Sequence, residues 1–424
     1  MRIFLICALI LVLSCFLFSA PGDLIWKFKT ENYVISSPCL SEEVVFVGSY
    51  DTYLYAVNSS DSSLKWKYQT GGFMWSSPCI SEDVVYIGCL DNFLYAVNAI
   101  NGSLKWKYET GSFIRSSPCV KDSIVYIGSD DSYLYAIRKS DSTLKWRYQT
   151  GSFVFSSPYA TDNTVYVGSY DKNIYSLNAS DGSLNWKYLT QGAVQSSPFA
   201  ENGVVYAGSE DTYLYALNSS DGSLKWSYKT DNSIFYSSPC FVEGVVYTGS
   251  NDGYIHAVNS SNGSLVWKYG TGNYIYSSPC VENEVVYFGS YDTNLYAVNS
   301  SNGSLSWVFK TGNAIFSSPC LSEGVVYVGS HDGYLYAIET YGYEGFKEDG
   351  INPGLPSNNL EISPNPFSKR LAISSDSDIL VYSLTGQLIM KLSKGKNSID
   401  TSNWREGIYI IKAGNLAKKV AKIN

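Results

Sequence analysis

The stretch VVYIGCLDNFLYAVNAINGSLKWKYETG, Val84 to Gly111, decides the fold, because close variants of it recur along most of the chain. The Trp of its L-x-W phrase stands at Trp26, Trp66, Trp106, Trp146, Trp186, Trp226, Trp267 and Trp307. A Ser-Ser-Pro ends at Pro38, Pro78, Pro118, Pro158, Pro198, Pro239, Pro279 and Pro319. An Asp follows the Gly-Ser step, or Gly-Cys once, at Asp51, Asp91, Asp131, Asp171, Asp211, Asp252, Asp292 and Asp332. Three independent markers each count eight copies, and the Trp copies are 40 residues apart with one interval of 41.

Each copy reads as four short strands: one after Ser-Ser-Pro, then V-V-Y-x-G-S, x-L-Y-A-V-N and S-L-K-W-K-Y. Asn-Gly and Asp-Gly pairs such as Asn101-Gly102 and Asp221-Gly222 supply the tight turn before the last strand. A period near 40 with four strands per unit marks the blade of a β-propeller. Second strands such as Val44-Val45-Phe46-Val47 are apolar without alternation, as expected of sheets that meet a neighbour on both faces. Proline cannot donate to a sheet ladder, so the strand beside Ser-Ser-Pro belongs at the axis and the Trp strand at the outside. The chain starts its repeats with a lone Trp strand, Asp23 to Lys29, and ends them after a third strand at Ala337-Ile338. The expected fold is therefore all-β: an eight-bladed propeller over residues 21–340, closed by its own N-terminal strand.

Residues 1–20 read as a secretory signal peptide: Arg2, an apolar run, then small residues. Val12-Leu13-Ser14-Cys15 departs at Leu13 from a lipoprotein box. The formal charge is −8, and residues 341–424 are net basic, with 11 Lys/Arg against 8 Asp/Glu, so the propeller is strongly acidic. Nucleic acid and anionic membrane surfaces are poor partners for such a body.

Six cysteines share one repeat column, Cys39, Cys79, Cys119, Cys240, Cys280 and Cys320, with Tyr159 and Phe199 in the other two copies. Copies on neighbouring sheets about 10 Å apart lie too far apart for disulfides, so these cysteines, like Cys89, are expected as small buried apolar groups and not as metal ligands. The eight Asp residues are expected to hold their own turns, and the eight Trp residues to be docking core between blades. The N-x-S triplets at Asn58, Asn101, Asn218 and Asn259 are read as turn chemistry first.

Two columns vary where the others are constant. The residue before Ser-Ser-Pro runs Ile35, Trp75, Arg115, Phe155, Gln195, Tyr236, Tyr276, Phe316. The residue before the shared Asp runs Tyr50, Leu90, Asp130, Tyr170, Glu210, Asn251, Tyr291, His331. Both fall on the face carrying the loops into the first strand and between the second and third. A varied column is free to make an asymmetric site, and aromatic rings at a channel mouth suit stacking on sugars, peptides or planar ligands. They suit plugging the channel equally well. The candidate rim is Trp75, Arg115, Phe155, Tyr236, Tyr276, Phe316, Tyr50, Tyr170, Tyr291 and His331.

The segment Ala96-Val97-Asn98-Ala99-Ile100-Asn101-Gly102-Ser103-Leu104-Lys105-Trp106 resembles the tryptophan-docking motif (A-x-D-x-x-T-G-x-x-x-W) of the pyrroloquinoline-quinone (PQQ) propeller repeat. That resemblance implies an eight-bladed ring and either a quinoprotein dehydrogenase or a non-catalytic propeller such as an outer-membrane assembly lipoprotein. The dehydrogenases hold their cofactor against a disulfide of adjacent cysteines and a calcium ion. This chain has no adjacent Cys pair, no insertion that would build a substrate chamber, and only His256 and His331. No enzyme activity, no cofactor and no catalytic residue are expected.

Residues 341–357 read as a Gly/Pro-rich linker. In residues 358–424, N-P-F at Asn365–Phe367, V-Y-S-L-T-G at Val381–Gly386, G-I-Y at Gly407–Tyr409 and a basic last strand resemble the type A C-terminal sorting domain of type IX secretion. The resemblance implies a small β-sandwich and export to the cell surface through the secretion machinery. The other reading is an immunoglobulin-like adhesion module.

Overall fold

The computed structural model describes residues 20–340 and, beyond them, 360–363, 370–375, 378–383, 388–402, 404, 407–413 and 416–422. The signal peptide, the linker, the N-P-F motif and the Thr385-Gly386 turn lie outside the described residues.

Residues Pro21–Thr340 form one unit of eight four-stranded sheets. Blade one consists of β2 (Cys39–Ser41), β3 (Val44–Gly48), β4 (Tyr53–Asn58) and β5 (Leu64–Gln69), hydrogen-bonded in that order. Six further blades repeat it. Blade eight joins Cys320–Ser322, Val325–Gly329 and Tyr334–Glu339 to β1 (Leu24–Lys29), which pairs antiparallel with Tyr334–Glu339. The expected ring closure is thus present, and its ends clasp: the Gly22 amide donates to the Glu339 carbonyl and the Glu339 amide to the Asp23 carbonyl, both at 2.9 Å.

Burial follows the apolar pattern. β3 and β4 are buried along most of their length, whereas β5 alternates exposed and half-buried residues. Each apolar cluster of the ring draws on two neighbouring blades. Val45, Val47, Tyr55 and Val57 of blade one meet Trp26, Tyr327 and Leu335 of blade eight, so the closing interface has a core like the others.

Trp residues reach from one blade to the next. The Trp146 indole donates to the Ala179 carbonyl of the next blade at 3.0 Å, and the bond from Trp26 to Ser59 across the closure is 2.7 Å. The ring lies under the turn of the next blade, where Gly182 has φ +76° and a Cβ would come within 2.6 Å of the Trp146 ring. Gly22 plays that part for Trp307, where a Cβ would come within 3.2 Å. At the turns facing Trp26 and Trp106 the residue is not Gly but Ser62 (φ 61°) and Ser142 (φ 59°).

Both serines of Ser-Ser-Pro have specific tasks. The first accepts the amide of the Gly ending the second strand, as in Gly128 to Ser116 at 3.1 Å. The second passes a hydrogen bond around the axis: the Ser37 amide donates to Ser77 Oγ at 2.9 Å, Ser77 to Ser117 likewise, and onward until Ser318 donates to Ser37 Oγ at 2.8 Å. The circle is unbroken.

Two expectations need correction here. The inner strands of neighbouring blades approach with Cα atoms within 8 Å, closer than the general sheet spacing because blades converge on the axis. The six column cysteines are half-buried, not buried, since they stand on these innermost strands; among the described cysteines only Cys89 is fully enclosed. All seven described cysteines are free. Burial pushes the thiols of Cys119, Cys240 and Cys320 up to about 11. Tyr159 and Phe199 fill the same column with an edge-on ring contact at 5.2 Å.

The described residues of the C-terminal unit form two sheets. One runs Leu360–Ser363, Arg370–Ser375, Gly395–Asp400, and the other Leu388–Leu392, Ile379–Ser383, Gly407–Ala413, Leu416–Lys422. Leu371, Ile373 and Ile399 from the first meet Ile379, Val381 and Ile411 from the second in one buried cluster.

Candidate functional site

The shared Asp residues belong to the frame. Asp91 accepts from the Gly71 amide (2.8 Å), the Phe93 amide (3.1 Å) and the Tyr95 hydroxyl (2.6 Å), which ties each turn to the loop leading into its blade. In blade six His256 replaces that Tyr: its Nε2 lies 3.0 Å from Asp252 and its Nδ1 3.1 Å from the Tyr228 hydroxyl. Asn residues of the N-x-S triplets cap their turns, as when Asn101 Oδ1 accepts from Ser103.

The same frame brings the two varied columns together. In seven blades the amide of the second-column residue donates to the carbonyl two residues before the first-column residue, as in Asp130 to Phe113, Tyr170 to Phe153 and His331 to Ala314, each at 2.9 Å, and in blade six Asn251 donates to Ser233, three residues before Tyr236. Residues 15 apart in sequence thereby become neighbours, and in five of the eight blades their side chains meet. Arg115 forms an ion pair with Asp130 at 2.9 Å in blade three. Phe155 and Tyr170 meet edge-on at 5.6 Å in blade four. The Gln195 amide donates to the Glu210 carboxylate in blade five. Tyr276 and Tyr291 meet at 5.4 Å in blade seven, and Phe316 and His331 stack at 6.2 Å in blade eight.

Around the mouth the pairs sort into two arcs. The aromatic arc gathers Trp75, Tyr236, Tyr276 and Phe316: centroids are 6.0 Å apart for Trp75–Tyr236, 5.4 Å for Trp75–Phe316, 5.0 Å for Tyr236–Phe316 and 5.2 Å for Tyr276–Phe316. Tyr50 extends it at 6.1 Å from Trp75, and His331 lies between Phe316 and Tyr33, 5.1 Å from the latter. Burial lowers the His331 pKa, partly offset by Asp332, so its ring is neutral at neutral pH. Trp75 and Tyr236 come from opposite blades, so these rings meet across the axis.

The polar arc spans blades three to five. Arg115 stacks on Phe155, with its guanidinium 4.7 Å from the ring centroid. Burial raises Asp130 to about 6 despite the neighbouring Arg115 charge. Burial also raises Glu210, against the opposing hydrogen bond from Gln195. Burial pushes the Tyr236 phenol up to about 12, and its hydroxyl also feels Arg115, Glu210 and Tyr170, which places that group toward the polar arc. Asp130 Oδ1 and Gln195 Oε1 are buried acceptors with no protein partner.

A third column went unnoticed in the sequence. Tyr33, Phe73, Phe113, Phe153 and Tyr274, two residues before the first varied column, are all more than 40% exposed on this face. Its signal is an aromatic before the always apolar Val34, Met74 or Ile114. Phe235 is the one-residue insertion behind the 41-residue interval, and it packs on Tyr236 at 4.3 Å.

Residues 159–402 match the family model described as beta-alanine-activating enzyme, beta-propeller, which is more than half of the chain. The chain belongs to this propeller family. Residues 16–115 and 69–158 match a second model, described as outer membrane protein assembly factor BamB. No curated protein matches the chain. Among solved structures the propeller is similar to the computationally designed Ika8 protein (15% identity, TM-score 0.69) and to BamB from Moraxella catarrhalis (18% identity, TM-score 0.66). Each covers 75% of this chain and 99% of the other. At such identities the likeness is one of fold. The repeats of this chain are PQQ-like, and their individuality is gathered on one face.

Proposed function

We propose that the chain is a non-catalytic binding or scaffold propeller, exported by type IX secretion to the cell surface and engaging its ligand at the varied rim. One observation carries the binding reading: residues that build blades are uniform, whereas the paired columns on one face differ in every blade, and in five of the eight the two side chains of the pair meet. Ring stability alone needs no such variety. The surface destination rests on the resemblance of residues 358–424 to a sorting domain. A PQQ site finds no platform of adjacent cysteines, for the seven described cysteines are free and separated in sequence, and neighbouring rings fill the mouth.

A second reading is a periplasmic scaffold for outer-membrane assembly, favoured by the matches to BamB. Fractionation of the producing cell separates the two. Propeller on the surface or in the medium without residues 358–424 supports the first, and propeller held in the periplasm with those residues attached supports the second. Dye-linked turnover of alcohols or sugars after adding PQQ and Ca²⁺ would refute the non-catalytic reading.

A further inference from the structure

Asp130 and Gln195 are only 8% and 4% exposed. Each spends one polar atom on a neighbour, Arg115 for Asp130 and Glu210 for Gln195. The other oxygen of each meets no protein donor. A buried acceptor left without a donor costs on the order of 1–3 kcal/mol, and two such acceptors sit in the polar arc, while the second varied column carries one unpartnered atom each on blades six and eight, Asn251 Oδ1 and His331 Nε2. The Gln195 amide cannot relieve this by turning over, because its NH₂ is held by the Glu210 carboxylate.

The two acceptors call for donors from outside. Phe155 and Tyr170, on the blade between them, offer aromatic surface, which suits C–H-rich faces. An ammonium ligand would bring donors too, but Arg115 already holds the cation position on the Phe155 face and would repel a second positive charge. A hydroxyl both donates and accepts, so it suits the acceptors and also the Arg115 N–H groups.

We propose that this polar arc, Arg115, Asp130, Phe155, Tyr170, Gln195 and Glu210, binds a terminal unit of a neutral glycan. Sugar hydroxyls donate to Asp130 and Gln195 and accept from Arg115, while one sugar face lies against Tyr170, which is 42% exposed, since Phe155 is covered by Arg115 and Phe153. The assignment rests on the binding reading above and narrows it to a ligand class.

The test is calorimetric titration of the full chain with cellohexaose, xylohexaose, mannohexaose and chitohexaose, and with spermine as a hydroxyl-free polyamine. The expected result is binding of at least one hexasaccharide, weakened about tenfold or more (about 1.4 kcal/mol) by Gln195→Leu and by Tyr170→Ala. Lys225→Gln, on an outer strand, should leave it unchanged, and circular dichroism checks that each variant is folded. Binding of spermine without any sugar, sugar binding untouched by both rim variants, or no sugar binding at all would overturn the assignment. If no sugar binds but the chain retains a surface protein and Trp75→Ala releases it, the glycan assignment falls while the binding reading stands. If Trp75→Ala also changes nothing there, both fall.

Discussion

Trp75 and Tyr236 belong to diametrically opposite blades, yet their ring centroids are 6.0 Å apart. Contact across the axis means that the aromatic arc fills its side of the mouth with its own rings, while the charged side chains of the two columns lie on blades three and five.

The two kinds of tryptophan should differ in cost. Trp146 is 7% exposed, donates to the next blade and underlies Gly182, so Trp146→Ala should destabilise by about 3–5 kcal/mol. Half-buried Trp75 makes three ring contacts at the mouth, each worth about 0.5–1.5 kcal/mol, and leaves a partly solvated site when truncated, so Trp75→Ala should cost less than Trp146→Ala, about 2 kcal/mol. Chemical denaturation of the two variants side by side checks the order, and equal losses would contradict it.

The docking turn gives a pair of opposite effects. Gly182→Ala places a Cβ against Trp146 at a positive φ and should destabilise by about 1–2 kcal/mol. Ser142 holds the equivalent turn at φ 59° with a side chain present. Ser142→Gly relieves that strain, less the entropy of Gly in the unfolded chain, and should raise stability by about 0.5–1 kcal/mol. Melting temperatures that move the same way in both would refute this account.

Asp130 should leave a mark on the pH dependence. The folded carboxyl, held at about 6 by burial, keeps its proton to higher pH than an unfolded Asp with a pKa of about 3.9. The native state therefore binds more protons in that window, and this site's contribution falls as pH rises through it. The loss is about 2–3 kcal/mol at most. Wild type should gain stability relative to Asp130→Asn as pH drops from neutral toward the unfolded value. A gap that stays constant, or a carboxyl resonance titrating in the ordinary Asp range, would contradict the burial argument.

Removing residues 21–29 deletes β1, the Trp26 bond to Ser59 and the Gly22 seat of Trp307. The truncated chain should melt well below wild type and self-associate, because it exposes a sheet edge. A monomer of unchanged melting temperature, by light scattering and calorimetry, would show that the clasp is dispensable.

The frame was legible because it rests on side chains that repeat. Trp146 and its seven equivalents, the Pro column and the stray strand at Trp26 each report an obligation that recurs in every blade. The site was half legible. Variation marked Trp75, Arg115 and their columns, but no local rule ties Arg115 to Asp130, since a backbone hydrogen bond between loops makes them neighbours. The constant separation of 15 residues, with charge facing charge and ring facing ring, was the available signal. Contact of Trp75 with Tyr236 depends on how narrow the axis is, and the usual sheet spacing overestimates that width. The serine circle escaped for the same reason.

The bonds from Gly22 to Glu339 and from Glu339 to Asp23 have a consequence for assembly in time. The ring locks only when its first strand meets a partner more than 300 residues later, so no earlier length of chain has a finished perimeter. Folding must hold two raw flanks apart from other molecules until the last blade arrives. By the same token, the propeller's ends are so near one another that a short peptide could join them and the circle be cut afresh at any loop between blades.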